Sequence, residues 1–181
     1  MTNPLTPLSL DQYFRLPETL RPMELVYGVV REPPAPRYGH QSVVTTTTYL
    51  LEQYVRSQGL GKVCVSPIDV VLDREQALVV QPDVIFVGTE RLGIIHERVW
   101  GAPDLVVEVL SRRTARRDRT EKLGWYRQYG VRECWFVDPI HKSIEIVDCT
   151  DRGKAEIYSG DDLIRSHVLP AFHLRAREFF Q

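Results

Sequence analysis

Residues 101–111, GAPDLVVEVLS, place an acid in the middle of a run that is otherwise apolar. Alternate residues of an extended strand face the same way. Asp104, Val106, Glu108 and Leu110 therefore share one face, and Leu105, Val107 and Val109 share the other. Both faces are mostly apolar, the pattern of a strand covered on both sides by helices, as in an α/β sheet. Glu108 then sits inside the core. A carboxylate there either takes up a proton or needs a cationic partner, which can be a basic side chain or a metal ion.

The rest of the chain supplies the layers such a strand needs. Ser9 with Gln12 reads as a capping box for a short first helix. Met23 to Arg31 reads as a strand interrupted at Gly28, and the prolines at 33, 34 and 36 as a surface loop. His40 to Ser57 is expected to be a helix stopped at Gly59, although Thr45 to Thr48 weaken it. Lys62–Val65 and Asp69–Leu72 read as one strand bent around Pro67, and Leu78 to Val87 as another containing Pro82. Asp104 to Leu110 follows. Thr114 to Tyr129 is the best helix pattern, ended by Gly130. Glu133–Asp138 and Ser143–Asp148 are expected to pair across the DPIHK turn. From residue 40 to 138 the order helix, three strands, helix, strand predicts an α/β sheet covered on both faces.

Composition fits one ordinary globular domain over residues 1–181, with 43 % hydrophobic and 26 % charged residues. Cys64, Cys134 and Cys149 form no CxxC pair, and an odd count argues against a disulfide framework. That points to a reducing, cytoplasmic setting. The first 14 residues lack the basic head and apolar block of a signal peptide, and no stretch approaches the ~20 apolar residues of a membrane span. The net charge of -1 does not exclude a nucleic-acid partner, because carboxylates in one place can mask a basic patch in another.

Asp83, in QPDVIFVG, opens a second apolar strand directly after a proline, at a place where a side chain can point into a cleft. Two acids on neighbouring strands can share one hard cation through oxygen ligands. Asp104 is less suited to the same ion, since it lies about 13 Å from Glu108 along the strand. Each acid taken alone also fits a structural role, Asp83 in a Pro–Asp turn and Glu108 paired with an arginine.

After Glu108 the chain runs SRRTARRDRTEKLGWYRQYG. Arg112, Arg113, Arg116, Arg117 and Arg119 crowd a helix N-terminus, where the macrodipole disfavours cations and favours phosphate. They read either as a nucleic-acid backbone contact or as a solvated face partnered by Asp118 and Glu121. Helical spacing puts Asp118, Lys122, Trp125, Tyr126 and Tyr129 on one stripe, so Lys122 lies at the edge of a buried face within reach of Glu108. A snorkelling structural lysine is the alternative.

MELVYG at 23–28, YGHQ at 38–41, QPDVIFV at 81–87, PDLVVEVLS at 103–111, DRTEK at 118–122, ECWFVDP at 133–139 and the final LPAFHLRAREFF form an ordered set. With these motifs the chain resembles the PD-(D/E)XK nuclease superfamily, and within it the Uma-type restriction-endonuclease-like branch. The resemblance implies a restriction-endonuclease-like core, a central mixed sheet flanked by helices with an added N-terminal β segment. It implies phosphodiester hydrolysis in DNA by a homodimer, with Mg2+ (or Mn2+) on Asp83, Glu108 and the backbone carbonyl of Val109. Leu110 stands where the superfamily pattern has its lysine, and Lys122 resembles the migrated lysine of this branch. Glu24 and His40 match accessory positions. A catalytically silent nucleic-acid-binding protein on the same fold is the rival expectation.

Overall fold

The computed structural model describes residues 7–17, 21–151 and 154–181. The opening residues read above for a leader lie partly outside them. Helix α1 (Leu10–Phe14) carries the expected Ser9–Gln12 capping box. Strands β1 (Glu24–Val26) and β2 (Val29–Arg31) form an antiparallel hairpin rather than one interrupted strand. Its turn residues, Tyr27 and Gly28, both have positive φ, 50° and 82°, the conformation that two-residue hairpin turns require. Helix α2 (Tyr38–Gln58) ends on Gly59 in the left-handed region.

The next segment departs from expectation. Lys62–Val65 and Asp69–Leu72 are not one bent strand. They belong to β3 (Gly61–Val65) and β4 (Val70–Asp73), which lie in different sheets. Leu78–Val87 likewise divides into β5 (Leu78–Val80) and β6 (Val84–Gly88), again in different sheets. Both divisions fall at a proline, Pro67 or Pro82, which has no N–H to continue a ladder. The chain thus leaves one sheet after β3, runs β4 and β5 as a pair in the second, and returns at β6.

Strand β7 (Val99–Trp100) completes the second sheet, whose order is β2-β1-β5-β4-β7. This sheet contains the added N-terminal β segment. The main sheet has the order β11-β10-β9-β8-β6-β3, built with β8 (Leu105–Val109), β9 (Glu133–Asp138), β10 (Ser143–Asp148) and β11 (Ala155–Ser159). It is mixed, because β8 and β9 run parallel while the other neighbours run antiparallel. The expected Thr114–Tyr129 helix is present as α3 (Ala115–Arg117), a π turn over Asp118–Lys122, and α4 (Leu123–Tyr129).

Strand β8 is buried along its whole length, as its two apolar faces require. Leu105, Val107 and Val109 pack with Val43, Leu51 and Val55 of α2. Val106 and Leu110 pack on the opposite side with Leu123, Trp125 and Tyr126 of α4. Glu108 shares that second face, so the strand's own alternation aims its carboxylate at α4.

Candidate active site

The register of β6 against β8 pairs Val84 with Val107, and one step further sets Asp83 opposite Glu108. Cross-strand neighbours of this kind stand about 5 Å apart at Cβ and share a face. The Asp83 carboxylate accepts the Val109 N–H at 2.7 Å and faces His40 Nε2 at 3.4 Å. His40 belongs to the first turn of α2, and its ring also meets the Val109 main chain. Burial disfavours its charged form, but the Asp83 carboxylate outweighs this and holds the imidazole above its ordinary value.

Lys122 Nζ lies 2.9 Å from Glu108 Oε1 and 3.0 Å from Glu24 Oε1. All three side chains are buried: Glu24 is 2 %, Glu108 4 % and Lys122 5 % exposed. Tyr126, one turn beyond Lys122, donates its hydroxyl to the same Oε1 of Glu108. Glu24 comes from β1 in the second sheet and also takes Arg117 on its other oxygen at 2.7 Å. The π turn, a feature often found at functional sites, turns Asp118 inward beside Lys122, both of them buried.

The charges divide unevenly. Burial raises Glu24, but Lys122 and Arg117 outweigh it and hold this carboxylate below the usual range. Glu108 moves the other way, pushed up to about 8 by burial that its Lys122 contact only partly offsets, with Asp118 and Asp83 adding to the rise. Asp118 is raised as well, chiefly by burial. Lys122 stays charged: the three acids around it more than offset its desolvation. Four carboxylates, Glu24, Asp83, Glu108 and Asp118, thus meet Lys122, Arg117 and His40 at close range, with Arg37, Arg112 and Arg113 lining the same cleft. An oxygen donor set of this kind suits a hard divalent ion. Among the described residues no three or more His, Cys, Asp or Glu side chains form a ready metal cluster. Asp83 and Glu108 are the two acids that neighbouring strands of the main sheet bring opposite each other in this cleft.

These groups form the floor of a cleft of about 920 Å³. Its lining also includes Pro33 to Pro36 and Arg37 from the segment before α2, and Ser111, Arg112 and Arg113 from the segment after β8. A family model described as "Putative restriction endonuclease", Uma2, matches residues 10–177.

The chain belongs to the Uma2 family. Its fold is also similar to that in the crystal structure, at 1.96 Å resolution, of a "putative nuclease belonging to DUF820" from Anabaena variabilis ATCC 29413. The two share 19 % identity with a TM-score of 0.80, over 96 % of this chain and 98 % of that one. No curated protein matches it. The chain thus shares the fold of that structure and belongs to a family described as "Putative restriction endonuclease", and no helix among the described residues is long and apolar enough to cross a membrane.

Within this Uma2 chain the residues singled out from sequence take different places. Asp83, Glu108, Lys122, Glu24 and His40 all line the cleft. The arginines separate: Arg112 and Arg113 are exposed cleft residues, whereas Arg117 is tied to Glu24 and Glu121. Arg119 is tied to Glu145 at 2.8 Å, and Arg116 is exposed on the helix. Neither of these last two is among the described residues that line the cleft. Sequence reasoning gave no role to Arg37, whose side chain carries no pattern, or to Gln81. The Gln81 N–H reaches Glu24 at 3.3 Å, and its side chain meets Asp69 and the Met23 N–H. Tyr126 was visible as part of the buried stripe, but its hydroxyl's partner was not.

Proposed function

We propose that this Uma2 chain is a divalent-metal-dependent endonuclease that hydrolyses phosphodiester bonds in DNA. The observation that carries the reading is the buried Glu108, held by Lys122 and set opposite Asp83 in an open cleft. Mg2+, for which Mn2+ can substitute, would be held by Asp83, Glu108 and the Val109 carbonyl, where it would lower the pKa of a water molecule and neutralise phosphate charge.

The chain's own groups do the rest. Lys122 is fixed between Glu24 and Glu108, so it keeps a positive charge beside the reacting phosphate and orients the attacking water. His40 holds the Asp83 carboxylate from the cleft side. Arg112 and Arg113 stand on the rim, where the substrate backbone would pass. Double-strand cutting by single sites calls for two copies, so the acting species is read as a homodimer. The setting is read as cytoplasmic.

The test is cleavage of plasmid DNA with and without Mg2+, beside Glu108→Ala. Cleavage that needs the metal and disappears in the variant supports the reading. DNA binding with no cleavage under any divalent metal would replace it with a catalytically silent binding protein. Cleavage that survives in the variant would move the chemistry elsewhere.

A further inference from the structure

Glu108 has two oxygens but its protein donors use only one. Lys122 Nζ and the Tyr126 hydroxyl both reach Oε1, and no donor among the described residues reaches Oε2. Glu108 also lines the cleft. Oε2 is therefore the oxygen left for whatever enters.

We propose that Tyr126 is a positioning residue that fixes the orientation of the Glu108 carboxylate, so that the oxygen without a protein donor faces the cleft. The Tyr126 side chain has no freedom to do otherwise. It is fully buried on α4 and packed with Ile85, Val106 and Phe136. Its hydroxyl donates to Glu108 Oε1 from that fixed point.

Lys122 alone is a poorer anchor. Its ammonium is shared with Glu24 at 3.0 Å, and a flexible four-carbon stem carries it. Two donors converging on one oxygen hold the plane and position of the carboxylate, whereas one shared donor leaves it free to tilt. Ligating carboxylates are commonly held by hydrogen bonds, and loss of such a partner costs about 10–100-fold in metal affinity. This inference rests on the metal-dependent reading above for its consequence, though not for its geometry.

The experiment compares wild type with Tyr126→Phe in three ways. Mn2+ binding is measured by calorimetry without DNA, the metal-free crystal structures are compared at Glu108, and cleavage is followed against Mg2+ concentration. The variant is expected to bind Mn2+ about 10–100-fold more weakly. Its half-saturating Mg2+ should rise by a similar factor while the rate at saturating Mg2+ changes less. In its crystals the Glu108 carboxylate should be rotated or divided between two orientations. Wild-type Mn2+ affinity with an unmoved Glu108 would overturn the proposal. Should wild type itself bind no Mn2+, the nuclease reading falls and the crystal comparison alone decides for or against Tyr126. Should the phenylalanine variant fail to fold, wild-type crystals soaked in Mn2+ decide: an ion held by the Glu108 oxygen that takes the Tyr126 hydroxyl, rather than by the other, would equally overturn it.

Discussion

The Asp83 carboxylate takes its shortest hydrogen bond from the N–H of Val109, the residue next to Glu108, at 2.7 Å across the gap between β6 and β8. One oxygen of Asp83 thus clips the strand that carries the second acid, and the first acid is held in place by the peptide adjoining the second. Asp83→Asn keeps the size but removes the charge and can present an amide where an acceptor is needed. Cleavage should fall by at least about 100-fold, some 2.7 kcal/mol of transition-state stabilisation. The circular dichroism spectrum should match wild type. Retained cleavage would remove Asp83 from the chemistry.

Glu108 makes metal-free stability depend on pH. Its carboxyl is raised in the folded state to about 8, from an ordinary value of 4.5, so the folded protein holds this proton more tightly than the unfolded chain does. The resulting stability is fully present below the ordinary value and is lost as pH rises through about 8. Thermal melts in EDTA should show wild type weakening between about pH 5 and 8, and Glu108→Gln weakening less. Restored Mg2+ should raise the melting temperature of wild type more at pH 9 than at pH 6, and should leave Glu108→Gln nearly unmoved. Equal slopes for the two proteins would show that the Glu108 charge is tolerated in the fold.

Removing the lysine should be costly to the fold as well as to activity. Lys122→Ala leaves Glu24 and Glu108 buried without their shared cation, and breaking a buried pair in this way costs about 3–5 kcal/mol. Glu24→Gln in the same background should recover part of that loss. The two changes should be non-additive by about 0.5–3 kcal/mol in urea unfolding. Simple additivity would mean that the contact contributes little.

The arginines should divide by function as they divide by contact. In Ca2+, Arg112→Ala with Arg113→Ala should lower the salt slope of DNA binding by up to about two units, with all sequences weakened alike. Arg119→Ala, already engaged by Glu145, should leave the slope unchanged. A salt titration of both variants checks this, and an altered slope in Arg119→Ala would return that residue to the binding surface.

Glu108 could be read from sequence because a period of two, apolar on both faces, leaves no doubt that the strand is covered. Lys122 could be read because aromatic residues marked its stripe as buried. The division of β3 from β4 and of β5 from β6 was not legible. Pro67 and Pro82 signalled an interruption, but a local pattern cannot separate a bend from a change of sheet. The partners of Lys122 and Arg117 at Glu24, and of Arg119 at Glu145, were out of reach for a related reason. They lie far away in sequence, and periodicity within one helix does not reveal which distant strand will pack on it. The family motifs located the acids without showing that Tyr126 and Lys122 take the same oxygen.

The passage of the chain from one sheet to the other and back has a consequence for timing. Glu24 lies in one sheet, Glu108 in the other, and Lys122 on the helix that follows, so no contiguous stretch short of residues 24–122 contains the trio. A polypeptide still leaving the ribosome, or one cut by a protease between the sheets, holds the acids without the lysine or the lysine without its second acid. Contacts that span such separations require long stretches of chain to be closed before they contribute. The floor of the cleft is therefore assembled only when both sheets and the helix after β8 are in place.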